Sequence, residues 1–279
     1  MNLFYFLDYL DKLFPTEFAL KDDRIGLQIH SGTIEIENLL VAYEITPEVV
    51  AEAVGNKCDT ILVFHPLIYQ PLREVLQSER VGRLVTLLLK NNISLITLHT
   101  RFDVVPNGTS FLFAKELGII DCKIIDPNPN NPQFGMGCWG NFPEVTKLDK
   151  FLEKITKITA SPIKYTIGKT QKIKSVGIIG GSGSSYLIKA MELGLDAFVT
   201  ADISYHNFHI AKNRITLVDA GHYETEQFIV PALTNIISKD LQHEFNSIMP
   251  SKVVTNPIQY YPNYHYEFKN QTEIDNKIN

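Results

Sequence analysis

The chain has 279 residues, 44% hydrophobic and 20% charged, with 26 Lys and Arg against 31 Asp and Glu and a formal net charge of −5. This balance disfavours nucleic-acid binding through phosphate neutralisation, and Cys58, Cys122 and Cys138 form no Cys-x-x-Cys pair for a thiolate zinc site. No stretch approaches the roughly 20 apolar residues of a membrane span, and the N-terminus carries Asp8, Asp11 and Lys12 instead of a basic lead, so a cytoplasmic protein is expected.

Leu3, Phe6, Leu7, Leu10 and Phe14 recur at helical spacing, and Pro15 ends the pattern. Residues 39–45 read as a buried strand. Thr46 then suits an N-cap with Pro47 at the first helical position, and Val49, Val50, Ala53 and Val54 share one face of the helix. A strand at 60–64, a helix over 80–91, a strand at 94–98 and a helix over 109–117 closed by Gly118 follow. Residues 126–141, rich in Pro, Asn and Gly, read as a loop between lobes. Residues 147–165 read as one helix and one strand. Strands at 175–179, 197–200 and 215–219 then alternate with helices over 184–193, 206–212 and 225–238. From about residue 245 the chain turns polar and Tyr/Asn-rich. It reads as a tail that is disordered over its last ten residues or packs on a neighbour through Tyr260, Tyr261 and Tyr264.

The alternation predicts an α/β fold: two similar lobes with largely parallel sheets flanked by helices, and a ligand site at the strand C-terminal ends. The expected division is a first lobe over 1–122, an inter-lobe loop and small segment over 123–172, a second lobe over 173–244 and the tail over 245–279.

Three strand ends carry the candidate chemistry. His65 follows the second predicted strand, and Pro66 biases its backbone toward an extended form. His99 and Asp103 follow the strand at 94–98. His222 and Glu226 stand four apart, about one helical turn, so both can face one point, whereas Glu224 points elsewhere. Taken singly, each fits a capped turn or a first-turn acid. Together they put imidazoles and carboxylates at one sheet edge, a donor set suited to Zn²⁺, Mn²⁺, Fe²⁺ or a similar ion. A bridging carboxylate would allow two ions.

The Gly/Ser turn at 180–185 follows a strand and opens a helix. It reads either as a tight turn needing positive φ or as a cradle for an anionic group. It matches neither the Walker nor the dinucleotide fingerprint. His206 and His209, three apart, read as cavity-lining or subunit-contact residues, or as a further metal pair. Cys138 and Trp139 read as structural.

Seven segments in order resemble the NIF-three-like family, whose members are often labelled GTP cyclohydrolase 1 type 2 homologues: residues 24–29, 41–53, 59–67, HTRFD with Asn107-Gly108, 180–185, 195–202 and 221–226. The resemblance implies an α/β fold of two lobes, a paired-metal site and a ring-shaped homohexamer. It assigns His65, Asp103, His222 and Glu226 as metal ligands. Two positions depart from the family pattern: Phe64 stands where the family usually has a first histidine before His-Pro-Leu, and Glu44 where it usually has Asp. The chain also lacks the long central insertion that some members of the family carry, its mid-chain segment being too short. Two functional readings follow. One is a metal-dependent hydrolase with His99 as general base, acting on a phosphorylated or nucleotide-like substrate. The other is a non-catalytic metal-binding scaffold or partner-binding protein.

Overall fold

The apolar runs become strands because both of their faces are covered. Along the run Leu39–Leu40–Val41–Ala42 every side chain is fully buried, and alternate residues enter different cores. The computed structural model describes residues 1–261. In chain order its elements are α1 (Leu3–Leu13), β1 (Gly26–Ile29), β2 (Asn38–Ala42), α2 (Pro47–Gly55), β3 (Thr60–Val63), α3 (Arg80–Lys90), β4 (Ser94–Thr97), α4 (Thr100–Asp103) and α5 (Thr109–Leu117). These continue into β5 (Ile120–Pro127), β6 (Gly135–Lys147), α6 (Leu148–Thr159), β7 (Lys164–Thr166), β8 (Lys172–Ile178), α7 (Leu187–Glu192), β9 (Ala197–Thr200), α8 (Tyr205–Ala211), β10 (Thr216–Asp219), α9 (His222–Glu226), α10 (Ile229–Leu241) and β11 (Ser247–Pro250).

Two mixed sheets result. The first has the order β1-β4-β3-β2-β11, and the second β5-β6-β8-β9-β10-β7. In the first, only the β1–β4 pair is antiparallel, as expected of a largely parallel sheet. In the second, β8–β9 and β9–β10 are parallel, while β5–β6, β6–β8 and β7–β10 are antiparallel. The first sheet packs Leu39, Val41 and Leu62 against α1 and α10 on one face. Its other face packs Leu40, Ile61 and Val63 against α2 and α3. The second sheet packs Val176, Ala197 and Val218 against α5 and α6, and Phe198 and Leu217 against α7 and α8.

Three expectations change. Residues 126–141 are largely the facing ends of the β5–β6 hairpin, paired through Ile124–Cys138 and Asp126–Met136. Only a short Pro/Asn-rich connection separates the strands, and ladder bonds on both sides outweigh its loop-like composition. The segment 123–172 is not a separate unit: α6 covers the second sheet and β7 is its edge, pairing Lys164 with Asp219. The chain also crosses between sheets. Helix α5 packs on the second core, although it lies before residue 122. Helix α10 returns to the first core, and β11, within the expected tail, pairs parallel with β2. Tyr260 packs on its own chain, Tyr261 is exposed, and Tyr264 and the last ten residues lie outside the described residues. No helix among the described residues is long and apolar enough to cross a membrane.

Two local devices position the strand ends that carry function. Thr46 caps α2 by accepting from the Val49 amide, with Pro47 at the first helical position. The buried Arg101 ties α4 to the end of α1: Nε donates to the Phe14 carbonyl at 2.6 Å, and Nη2 to Asp11 Oδ1 at 3.0 Å. We expect Thr46→Ala to cost about 1 kcal/mol of stability through loss of the cap. Equilibrium urea unfolding should show it as a lower midpoint with an unchanged slope.

Candidate metal centre

The parallel register of the first sheet brings its strand ends to one level. Ala42 faces Val63, and Val63 faces Thr97. The ladder runs on beyond the strands: the His65 amide donates to the Tyr43 carbonyl at 3.1 Å, and the His99 amide to Phe64 at 2.9 Å. Tyr43, His65 and His99 therefore leave the sheet side by side. His222 and Glu226 arrive from the second sheet, on the short helix that follows β10. The ring centroid of His65 lies 5.7 Å from that of His99 and 5.5 Å from that of His222.

Each of these imidazoles has its Nδ1 against a carboxylate. His65 Nδ1 lies 3.4 Å from Glu44 Oε2, His99 Nδ1 2.7 Å from Asp23 Oδ1, and His222 Nδ1 2.6 Å from Asp202 Oδ2. An ionised carboxylate only accepts, so Nδ1 carries the proton and Nε2 presents its lone pair when the ring is neutral. That is the carboxylate–histidine pattern of metal ligands. His65 Nε2 and His222 Nε2 lie 3.7 and 3.2 Å from Glu226 Oε2. Donor atoms of His65, His222 and Glu226 all fall within 4.8 Å of one another.

The electrostatics record a surplus of negative charge. Burial raises the Asp103 carboxyl, and the Glu226 charge raises it further, to about 7, against the opposing bond from Thr109. Burial disfavours charge on His222, but Glu226 and Asp202 outweigh it and push the ring up to about 10. Burial and then Glu226 hold the Tyr43 phenol far above its ordinary range. In each case the protein keeps a proton beside Glu226, which is 4% exposed. A divalent cation would satisfy the same site, so the residues present fit one.

His99 is held in a strained form, φ 45° and ψ −127°, of the kind retained where surrounding contacts over-determine it. Asp23 supplies those contacts, accepting from the His99 ring and from the Thr100 amide and hydroxyl. Asp103, at the end of α4, accepts from Thr109 Oγ1 at 2.5 Å. It stands outside the three-residue group, close enough for Glu226 to act on its charge.

The Gly-rich turn has a different use from the anion cradle. The amides of Gly180, Gly181 and Gly183 already donate to Ser110, Thr225 and Thr200 hydroxyls, so they are not available to a phosphate. What the turn provides is room. Gly181 has φ +61°, and a Cβ there would fall 2.3 Å from Glu226 Oε1 and 3.1 Å from His222 Nε2. A cavity of about 1270 Å³ opens at this edge, walled by residues such as Ile68, Tyr69 and Ile203 and reaching His65 and His222. Glu224 faces away from the cluster, toward Asn256 Nδ2 at 3.1 Å.

A sequence model of the Duf34/NIF3 (NGG1p interacting factor 3) family matches residues 1–257. The chain belongs to the DUF34/NIF3 family. A Lactococcus lactis relative named GTP cyclohydrolase 1 type 2 homolog is 33% identical, the alignment covering 91% of this chain and 96% of that protein. A Streptococcus pneumoniae protein of the same name is 31% identical over 88% and 94%. The crystal structure of a Staphylococcus aureus hypothetical protein superposes with a TM-score of 0.87 at 27% identity, over 93% of this chain and 99% of that one.

Within this DUF34/NIF3 fold, the sequence-derived residues separate. His65, His222 and Glu226 converge, His99 and Asp103 flank them, and His206 and His209 are exposed on α8 beside Tyr205. No sequence motif marks Tyr43, Asp23 or the role of Asp202. Tyr43 and Asp202 follow strands, a position that could have marked them. Asp23 lies in a loop far from His99 in sequence, and no pattern points to it. Gly181→Ala is expected to displace Glu226 and His222 and lower the capacity of this group to hold a divalent ion by about tenfold or more, while secondary structure persists. Inductively coupled plasma mass spectrometry after gel filtration, with circular dichroism on the same sample, checks this.

Proposed function

We propose that this DUF34/NIF3 chain holds a divalent ion, Zn²⁺, Mn²⁺, Fe²⁺ or similar, on His65, His222 and Glu226 with Asp103 as a further ligand, and that it is a metal-dependent hydrolase. The observation that carries the reading is the set of imidazoles whose Nδ1 atoms rest on carboxylates, two of them aiming Nε2 at Glu226. A divalent ion bound there supplies Lewis acidity and brings the ionisation of water toward neutral pH. His99, oriented by Asp23, accepts a proton from the attacking water as general base.

The substrate reading is a small anionic, nucleotide-like molecule, in keeping with the names of the relatives. Since the Gly-rich turn has spent its glycine amides, the cavity cations that meet an anion are Arg80 and Lys164. Both are paired, with Glu44 at 2.7 Å and Asp219 at 2.8 Å, so an anion binds by exchange with a carboxylate. The protein acts in the cytoplasm as a homo-oligomer, a hexamer by the resemblance. Static light scattering at micromolar concentration and physiological salt tests this, and a monomer refutes it.

Phe64 supports a second reading, a metal-binding scaffold without turnover. Its phenyl ring has no lone pair and is 1% exposed within the first core. One ion is therefore held well, and a second weakly or not at all. Hydrolysis screening with and without EDTA separates the readings: EDTA-sensitive turnover supports the hydrolase, and metal binding without turnover supports the scaffold.

His222→Ala and Asp103→Ala should each lose bound metal with the fold retained. Unchanged metal content in either refutes that ligand assignment. The unmodified protein should retain one ion per chain in metal-free buffer, and Phe64→His should raise occupancy toward two. Two tightly retained ions in the unmodified protein refute the stoichiometry.

A further inference from the structure

Tyr43 was not among the residues expected to serve the site, and the fold gives its hydroxyl a single purpose. It leaves β2 at the level where His65 leaves β3, because the His65 amide bonds to the Tyr43 carbonyl. Its hydroxyl donates to Glu226 Oε2 at 2.6 Å. This is the same oxygen toward which His65 Nε2 and His222 Nε2 converge. The other carboxylate oxygen, Oε1, faces the bare backbone of Gly181. Glu226 is thus held by a donor on one oxygen, while the missing side chain at Gly181 leaves room for the other.

The ring is fixed as firmly as the hydroxyl. It stacks on Phe64, with centroids 6.0 Å apart and planes 17° from parallel. It meets His65 edge-on at 4.7 Å and Tyr223 edge-on at 5.1 Å. Phe64 is the position at which the resemblance expects an imidazole. The ring that replaces that donor therefore forms one wall of the slot holding the tyrosine.

We infer that Tyr43 is the positioning residue of the metal centre: its hydroxyl fixes the Oε2 edge of Glu226 between His65 and His222, and its ring walls His65 into place. The inference rests on the metal-binding reading of the site. An outer partner of a ligating carboxylate orients it without touching the ion, and losing such a partner costs about 10- to 100-fold in metal affinity. Tyr43→Phe removes the hydroxyl and keeps the ring, and Tyr43→Leu removes both. Tyr5→Phe, at an exposed position, serves as the control.

The experiment measures Zn²⁺ affinity by competition with a chromophoric chelator for the full chain and these variants, with His222→Ala alongside. It adds the visible spectrum of the Co²⁺-loaded proteins and the melting temperature of the metal-free proteins. The expected result is a loss of affinity of about 10- to 100-fold in Tyr43→Phe, with shifted Co²⁺ bands and a metal-free melting temperature close to the parent. Tyr43→Leu should lose at least as much, and Tyr5→Phe should match the parent. The Leu variant also carries the test if the Phe variant fails to fold. If His222→Ala loses metal while Tyr43→Phe binds like the parent, the positioning role is wrong and the metal reading stands. If His222→Ala binds like the parent, the metal reading falls and takes the inference with it. A Tyr43→Phe loss that only tracks a lower metal-free melting temperature, with unchanged Co²⁺ bands, shows a merely structural tyrosine and overturns the inference.

Discussion

The arrangement of the site follows from burying one carboxylate. Glu226 is 4% exposed, and an ionised acid taken out of water is unfavourable unless partners replace its hydration. Tyr43 donates to one oxygen. His65 and His222 turn ring nitrogens toward the same oxygen. On the far side Gly181 leaves no side chain to displace the other oxygen. The neighbours carry the consequence, since Asp103 and His222 both hold their protons to higher pH than they would in water. The same concentration of charge that is unfavourable without a cation is what suits the residues of the site to one.

The partners of Glu226 come from both sheets, so the site exists only when the sheets are docked. His65, His99 and Tyr43 depend on the register of β2, β3 and β4, while His222 and Glu226 depend on the exit of β10. Two crossings fasten the halves together: α5 covers the second sheet, and α10 and β11 return to the first. A strand-end helix of five residues such as α9 has little stability of its own. It is held by what surrounds it, including the Thr225 hydroxyl that accepts from Gly181.

Phe64 and Tyr43 act together in the local chemistry of the site. A buried phenyl ring substitutes apolar packing for a donor and joins the core beneath β3. The adjacent tyrosine stacks on it and extends a hydroxyl to Glu226. Glu44 keeps contact with His65 Nδ1 while also pairing with Arg80, so the longer acid still reaches the ring.

The local features of this protein were determined by its sequence alone. Apolar runs bounded by turn residues marked β2, β3, β4, β9 and β10, Thr46-Pro47 marked the start of α2, and four-residue spacing placed His222 and Glu226 on one face of α9. These depend on backbone preference and periodicity, which are written within a few residues of where they act. Motif order pointed to the family for the same reason. Only the tertiary structure decided what depends on distance along the chain. The Pro/Asn-rich segment after β5 became a hairpin because β8 was there to pair with β6. Residues beyond 245 became an edge strand because β2 had an open edge. Asp23 became the partner of His99, and Asp202 that of His222, because separate loops meet where the strand ends of the two sheets face each other. Tyr43 found Glu226 across 183 positions of sequence. A carboxylate's nearest donor is set by three-dimensional packing, and no local pattern records it.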